Sequence, residues 1–367
     1  MKKIILGIFL IFSMISFAKE EYVVGKIIEK VGSNIENSLK TEIQPDSEEI
    51  KDIEVFKVKV KDKIYTIEFP IYTEEAYNLS LKKGNKVVVY RENENDNYYI
   101  TDIDRRGSYI VMGAIFSLLT LALAKRRGAK SLLALIITVY LIFYFFIPYT
   151  VKGYSPILIS VITALLSSII TILFVAGFTH KGVVAIIGSV GGTIFSGVLS
   201  YFLIRLMDFS GYPTLDSISY IEILRGIKVK ELVPAGIILG SMGAIMDVSM
   251  SISSALTEIR EKSPQLGSKD IYNSGLNIGK DMVGTMINTL ILAYIGSSLF
   301  EMIVINKNLE NLPFIRLLNY EFIGVEILKS FAGSVGILIS IPVTAYFGAH
   351  LHRRYRDLKR LKLKLFK

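Results

Sequence analysis

An α-helical polytopic membrane protein, with about seven transmembrane helices after a signal peptide and a small extracytoplasmic β-rich, OB-like domain, is the fold class this sequence predicts. Three observations predict it. Mean hydropathy is +0.47 with only 20% charged residues, too apolar for a soluble chain of 367 residues. From residue 108 onward the chain is a succession of apolar runs, each near the roughly 17 to 25 residues that cross a bilayer. Residues 19–107 are instead polar, with the alternation and β-branched content of strands.

The first element is an export signal: Lys2-Lys3, an apolar stretch over 4–15, then Ser16-Phe17-Ala18 before Lys19. Cleavage is expected after Ala18, and an uncleaved anchor over 1–18 would leave the same orientation. Strands follow at 22–31, 55–60, 64–69, 86–90 and 98–103, with a short helix over 73–79. Three strands, a helix and two strands is the order of a five-stranded OB-like barrel. No aromatic stacking face stands out in it, so a cap over the membrane domain is expected rather than an oligomer-binding surface.

The transmembrane domain is expected over 108–350, with spans at 108–124, 131–149, 155–178, 183–206, 231–253, 282–304 and 324–349 and a basic tail at 351–367. Under that topology the cytoplasmic stretches and the tail hold about 17 Lys and Arg, while the outer connections hold about six (Lys152, Arg225, Lys228, Lys230, Lys307 and Arg316). This asymmetry places the tail in the cytoplasm and residues 19–107 outside. The outer connection 207–230 carries Leu215, Ile218, Ile221 and Leu224 at roughly helical spacing and is expected to form an interfacial helix.

Net charge is +9, yet it is no footprint of nucleic acid. Residues 19–107 carry about 15 basic against about 19 acidic side chains, so the excess belongs to the membrane part and its tail, beside anionic lipid. The lipid bilayer is the expected partner, with no nucleic acid, and the oligomeric state is not set by the sequence. Cysteine is absent and only three histidines occur, so neither a disulfide framework nor a thiolate or histidine metal cluster is expected. No nucleotide loop, Gly-x-Ser-x-Gly elbow or His-Glu-x-x-His helix occurs either. Neither enzymatic activity nor a cofactor is expected.

Chemistry concentrates in two segments. The first is Gly240-Ser-Met-Gly-Ala-Ile-Met-Asp247-Val-Ser-Met-Ser251-Ile-Ser-Ser254-Ala-Leu-Thr-Glu258; the second opens Ser274-Gly-Leu-Asn277-Ile-Gly-Lys-Asp281-Met-Val-Gly-Thr285-Met-Ile-Asn288. Residues three, four and seven apart share a helical face. Asp247, Ser251, Ser254 and Glu258 therefore form one stripe, and Ser274, Asn277, Asp281, Thr285 and Asn288 another. Both are expected to point into the bundle and to meet in its inner half. An acid well inside a span costs at least about 2.5 kcal/mol on insertion scales, so Asp247 calls for a role. With Ser251, Asn277, Asp281, Thr285 and Asn288 it offers the oxygens of a proton or monovalent-cation site. Each has a plainer alternative: hydroxyls that bond back to their own helices, a helix start at Asp281 that favours a carboxylate at the positive dipole end, and for Glu258 cytoplasmic solvent beside Arg260, Glu261 and Lys262. Glycines beside both acids, and Gly188, Gly191 and Gly192 in the fourth span, fit close helix packing.

The two segments, the second read on through Thr-Leu-Ile-Leu-Ala-Tyr-Ile-Gly-Ser-Ser298, resemble the bacterial YibE/F family of multi-span membrane proteins, a likeness running over about residues 110–349. The resemblance implies the membrane architecture, in a bacterial cytoplasmic membrane, and carries over no catalytic residue. The expected function is a proton- or cation-coupled transporter or permease. The alternative is a non-transporting scaffold or assembly factor whose polar helix faces are structural.

Overall fold

The computed structural model describes residues 22–33, 50–91, 97–212, 220–308 and 313–365. The expected signal at 1–18 lies outside them. The chain divides into two compact units, one ending at Leu123 and one beginning at Ala124.

The first unit holds strands β1 (Tyr22–Ser33), β2 (Ile50–Val60), β3 (Lys63–Tyr72), β4 (Lys86–Arg91) and β5 (Tyr98–Ile103), with a single 3-10 turn at Glu75–Tyr77. They form one antiparallel sheet in the order β3-β2-β1-β4-β5. Its two outer strands come close where Tyr65 meets Tyr98, ring centroids 4.4 Å apart, so the sheet curls into a half-barrel with the strand order of an OB-fold. Alternation decides which residues turn inward. Ile27, Phe56, Val58, Val60, Ile67, Val87, Val89 and Ile100 fill the interior, while outward residues pair across strands, as Lys57 does with Glu29 at 2.6 Å. After β5 the chain is locked by Asp104. Its carboxylate accepts from the Arg106 Nε at 2.7 Å and from a second guanidinium nitrogen at 3.1 Å.

Helix α1 (Arg106–Leu141) is two helices joined at a kink, since Lys125 has φ 47° and ψ −123°. It passes through a π-turn at Ile142–Phe146 into α2 (Ile147–Val151). Pro148 lies just beyond the wide turn and has no N–H to give the preceding turn. The second unit continues with α3 (Pro156–Ala176), α4 (His180–Leu206), α5 (Leu232–Lys262), α6 (Ser268–Ser297), α7 (Leu299–Asn308), α8 (Phe314–Leu318) and α9 (Glu321–Leu365). Among the described residues five helices are long and apolar enough to cross a membrane, or six if the α6–α7 pair, bent by 58°, is one span. In the connection 207–230, residues 220–226 form turns rather than the expected helix, and 213–219 lie outside the described residues. Of that expectation's apolar row only Ile221 and Leu224 are described; two residues cannot define an amphipathic face.

The bundle closes on a seam of small residues between α4 and α9. Gly188, Gly192, Ser196 and Ser200 recur every fourth residue on α4 and face Gly336, Ser340 and Thr344 at the same spacing on α9. A Cβ at Gly192 would lie 2.6 Å from the Gly336 carbonyl oxygen and 2.8 Å from Ile245, so backbones touch here. Ser196 donates across the seam to the Ala332 carbonyl at 2.9 Å. Lipid chains are as apolar as leucine, so close van der Waals packing and buried hydrogen bonds, rather than expulsion of water, hold such helices together. Most other interior hydroxyls bond back to their own helix, as Ser249 does to Ile245 and Thr344 to Ser340.

Two expectations follow. Gly192→Ala should lower stability by about 1 to 3 kcal/mol through overpacking, whereas Gly236→Ala, where a Cβ meets nothing within 4 Å, should leave it unchanged or raised by up to about 1 kcal/mol; thermal unfolding in detergent compares them. The hydrogen bond from the Arg106 side chain, with that cation's charge, holds the Asp104 carboxyl below its ordinary value despite partial burial. A depressed folded value means the lock contributes fully above the unfolded carboxyl pKa of about 3.9 and is lost as pH falls through the folded one. Because Arg106 is 68% exposed, the contribution is at most about 1 kcal/mol. The protection of amides across 104–108, taken relative to the intrinsic exchange rate at each pH, should fall as pH falls through that window, and Asp104→Asn should remove the dependence.

Candidate functional site

Helix α5 presents its polar stripe at the surface of the bundle. Gly236, Gly240, Gly243, Asp247, Ser251 and Glu258 are all exposed, at helical intervals of three, four or seven, and Ser254 on the same face is half-buried. On one side of this stripe Ala244, Val248 and Ile252 pack with α6. On the other, Met242, Met246 and Met250 pack with Ile157, Val161, Ala164 and Ile172 of α3. The stripe is thus the floor of an open trough walled by α3 and α6. Three glycines keep the floor low, and Asp247, halfway along α5, is accessible yet crowded by protein atoms.

Helix α6 begins at Ser268, well before the expected span at 282, so Asp281 lies mid-helix rather than at a helix start. Its buried residues Ile271, Gly275, Gly279 and Leu290 pack toward α9 and α5. Asn277, Asp281, Thr285 and Asn288 are exposed. The Tyr294 hydroxyl lies 2.9 Å from the Cβ position of Gly240, and Leu256 packs 3.1 Å from that of Gly275. These contacts set the register of the antiparallel pair and bring Asp247 about level with Thr285, and Ser251 with Asp281.

The expectation that both stripes point into the bundle is therefore corrected. They share a depth but lie on accessible faces, and no hydrogen bond or ion pair among the described residues joins Asp247 to Asn277, Asp281 or Asn288. The physical reason is the seam: close packing of α4, α5 and α9 along Gly188, Gly192 and Gly336 needs small and apolar residues, and the polar side chains along that line are hydroxyls. Thr285 bonds back to the Met282 carbonyl at 3.0 Å, and Glu258 pairs with Lys262 at 2.9 Å, so both follow their plainer alternatives.

The buried acid is one that sequence reasoning passed over. Glu326, in the second turn of α9, is 5% exposed. Its Oε1 accepts from Lys329 at 2.5 Å, while Oε2 is buried with no hydrogen-bond partner. The Tyr294 hydroxyl is likewise buried and unpartnered. That ring lies between Gly240 on the trough floor and Gly333 on α9. A buried acceptor left unpaired costs about 1 to 3 kcal/mol. The available signal was a lone Glu inside the last apolar run, three residues before a Lys on the same face. A separate cavity of about 550 Å3, lined by Ser155, Leu158, Val161, Tyr201 and Glu231 among others, includes none of these residues.

A helical bundle whose described residues include five or six helices long and apolar enough to cross a membrane fits a polytopic membrane protein. Residues 112–354 match the family model described as YibE/F-like protein, and the chain belongs to that family. No curated protein and no solved structure matches the chain.

The chain lacks cysteine, so single cysteines report on the trough directly. Cysteine placed at 247 or 251 in the reconstituted protein should react with a water-soluble thiol reagent, and at Val248 or Ile252 it should not. Equal protection at all four positions, by mass-spectrometric labelling, would show the trough covered.

Proposed function

We propose that this YibE/F-family chain is a proton- or cation-coupled transporter or permease whose path includes the α5 trough. One observation carries this reading: an aspartate at the middle of an apolar helix sits on an accessible floor of glycine and serine, between two helical walls. Lipid cannot satisfy that carboxylate, whereas water, a proton or a monovalent cation can. Asp247 binds the coupling ion, with Ser251 beside it and Asn277, Asp281, Thr285 and Asn288 of the neighbouring helix lining the same depth. The protein acts without enzymatic chemistry or a cofactor.

The accompanying topology is seven spans. The kink at Lys125 divides α1 into two crossings, and α6 with α7 makes one bent crossing. Residues 19–107 then lie outside a bacterial cytoplasmic membrane, after a signal segment, and the basic tail lies within. The uneven distribution of Lys and Arg between connections supports this orientation.

A second reading is a non-transporting scaffold or assembly factor. It is favoured by the absence, among the described residues, of any partner for Asp247, Asn277, Asp281 or Asn288, as where another subunit supplies one. Asp247→Asn in liposomes separates the two. Transport requires that ion-coupled flux or proton uptake fall at least about tenfold, which is 1.4 kcal/mol, with thermal stability unchanged. Lost stability with no uptake in either form supports the scaffold.

A further inference from the structure

We propose that the outer face of the β half-barrel is a docking surface for anionic lipid headgroups, with Lys26, Lys59 and Lys86 on phosphate. The proposal concerns the first unit alone and does not depend on the transport reading of the trough.

The register of the sheet assembles this face. Lys26 on β1 stands opposite Lys59 on β2 and opposite Lys86 on β4, so three lysines form one row across three adjacent strands. All three are exposed, and among the described residues none of their ammonium groups has an ion-pair or hydrogen-bond partner. Like charges directly opposite one another in a sheet repel, so the row destabilises the free domain and an anion laid across it relieves the repulsion. Glu29, Asp102 and Asp104 do not balance the row, since each holds another cation: Lys57 at 2.6 Å, Arg105 at 2.8 Å and Arg106 at 2.7 Å. Residues 19–107 carry more acidic than basic side chains overall, so attraction to an anionic surface belongs to this face and not to the domain as a whole.

Apolar and aromatic side chains on the same face make the occupant a membrane rather than a soluble polyanion. Ile64, opposite Lys59 on β3, ends the lysine row and is 59% exposed. Further along the strands Val24 stands opposite Val88, and beyond them Tyr22, Tyr90 and Tyr99 form a row of their own, with the Tyr22 and Tyr90 rings 5.2 Å apart. Lysine beside tyrosine and aliphatic side chains is the composition of a membrane interface. The lysine row also lies where the chain leaves the sheet for its first apolar helix. The Asp104 amide donates to the Lys86 carbonyl at 2.8 Å, and α1 begins at Arg106. Tyr109, Ile110 and Val111 in its first turns are exposed. At about 1.5 Å per residue, Arg106 lies about 6 Å along the helix from Ile110, and headgroups occupy roughly 5 to 8 Å on each side of the hydrocarbon core. Lys86 is therefore at headgroup depth, with Lys26 and Lys59 following at about 4.8 Å per strand.

A fluorophore on Val24→Cys of the full chain, which has no other cysteine, tests the docking in nanodiscs that contain a headgroup-labelled quencher lipid. Quenching should be strong in phosphatidylglycerol discs, weak in phosphatidylcholine discs, and should fade as salt is raised. With Lys26→Gln, Lys59→Gln and Lys86→Gln combined, the ratio of quenched to unquenched domain in phosphatidylglycerol should fall at least about tenfold, since each Lys at an anionic surface contributes about fivefold. The comparison of lipids needs no substitution in the row, so it decides the matter whether or not the triple variant folds. Equal quenching in the two lipids, or undiminished quenching in the folded triple variant, overturns the proposal. Quenching indifferent to lipid charge, with inorganic polyphosphate protecting the three lysines from an amine reagent, overturns it in favour of a soluble polyanion.

Discussion

The contact between α4 and α9 through Gly188, Gly192 and Gly336 governs the rest of the bundle. Helices in lipid gain little from apolar contact alone, so stability depends on how near two backbones come and on which buried hydroxyls find acceptors. Repeating glycine and serine every fourth residue meets both needs, and a Cβ at Gly188 would fall 1.9 Å from the Thr344 hydroxyl. The consequence is spatial. With the α4–α9 line filled by small side chains and their hydroxyls, the space between these helices and α5 cannot take a solvated carboxylate. Polar chemistry is displaced to the next line outward, where α5 meets α3 and α6.

That displacement explains which parts of the protein could be read from the chain. Binary patterns set by a local period were legible. The five strands were located to within a few residues, β2 excepted, which begins at Ile50 rather than 55, because inward residues such as Phe56, Val58 and Val60 alternate with lysines and β4 is a run of β-branched residues. The apolar runs at 155–178 and 183–206 correspond to α3 and α4. The glycine run of the fourth span was legible as close packing, since spacing alone implies a shared face. Hydropathy failed where a helix begins in polar sequence: α6 starts fourteen residues before its apolar run because Ser268 to Lys280 is helical but polar. It also failed to separate the outer side of a helix from the inner. The stripe of Asp247 and Ser251 has the periodicity of a face, and periodicity does not say which neighbour that face meets.

Glu326 shows the complementary limit. A single acid near the start of an apolar run has the same sequence context whether it sits in headgroups or inside a bundle. What distinguishes the two is tertiary: the start of α9 packs with α4 and α5 through Val325, Leu328, Ile204, Val233 and Ile237, which leaves Glu326 5% exposed with Lys329 on one of its oxygens. An isolated Glu326 in lipid would carry the burial penalty without that partner.

The two acids divide the polar work of the bundle by accessibility. Asp247 lies where water or an ion can reach it and where a partner subunit could cover it. Glu326 is 5% exposed and holds Lys329 on one oxygen. A trough with an exposed acid alone would serve as an interface or a binding groove. A buried acid alone would be a structural ion pair. Placed seven residues from the aspartate on the same α5 face, Gly240 puts the tyrosine about 10 Å from it along the helix, at 1.5 Å per residue. At that distance Tyr294 and Asp247 share one side of α5 without sharing a hydrogen bond, so the exposed acid and the buried hydroxyl each answer to their own surroundings.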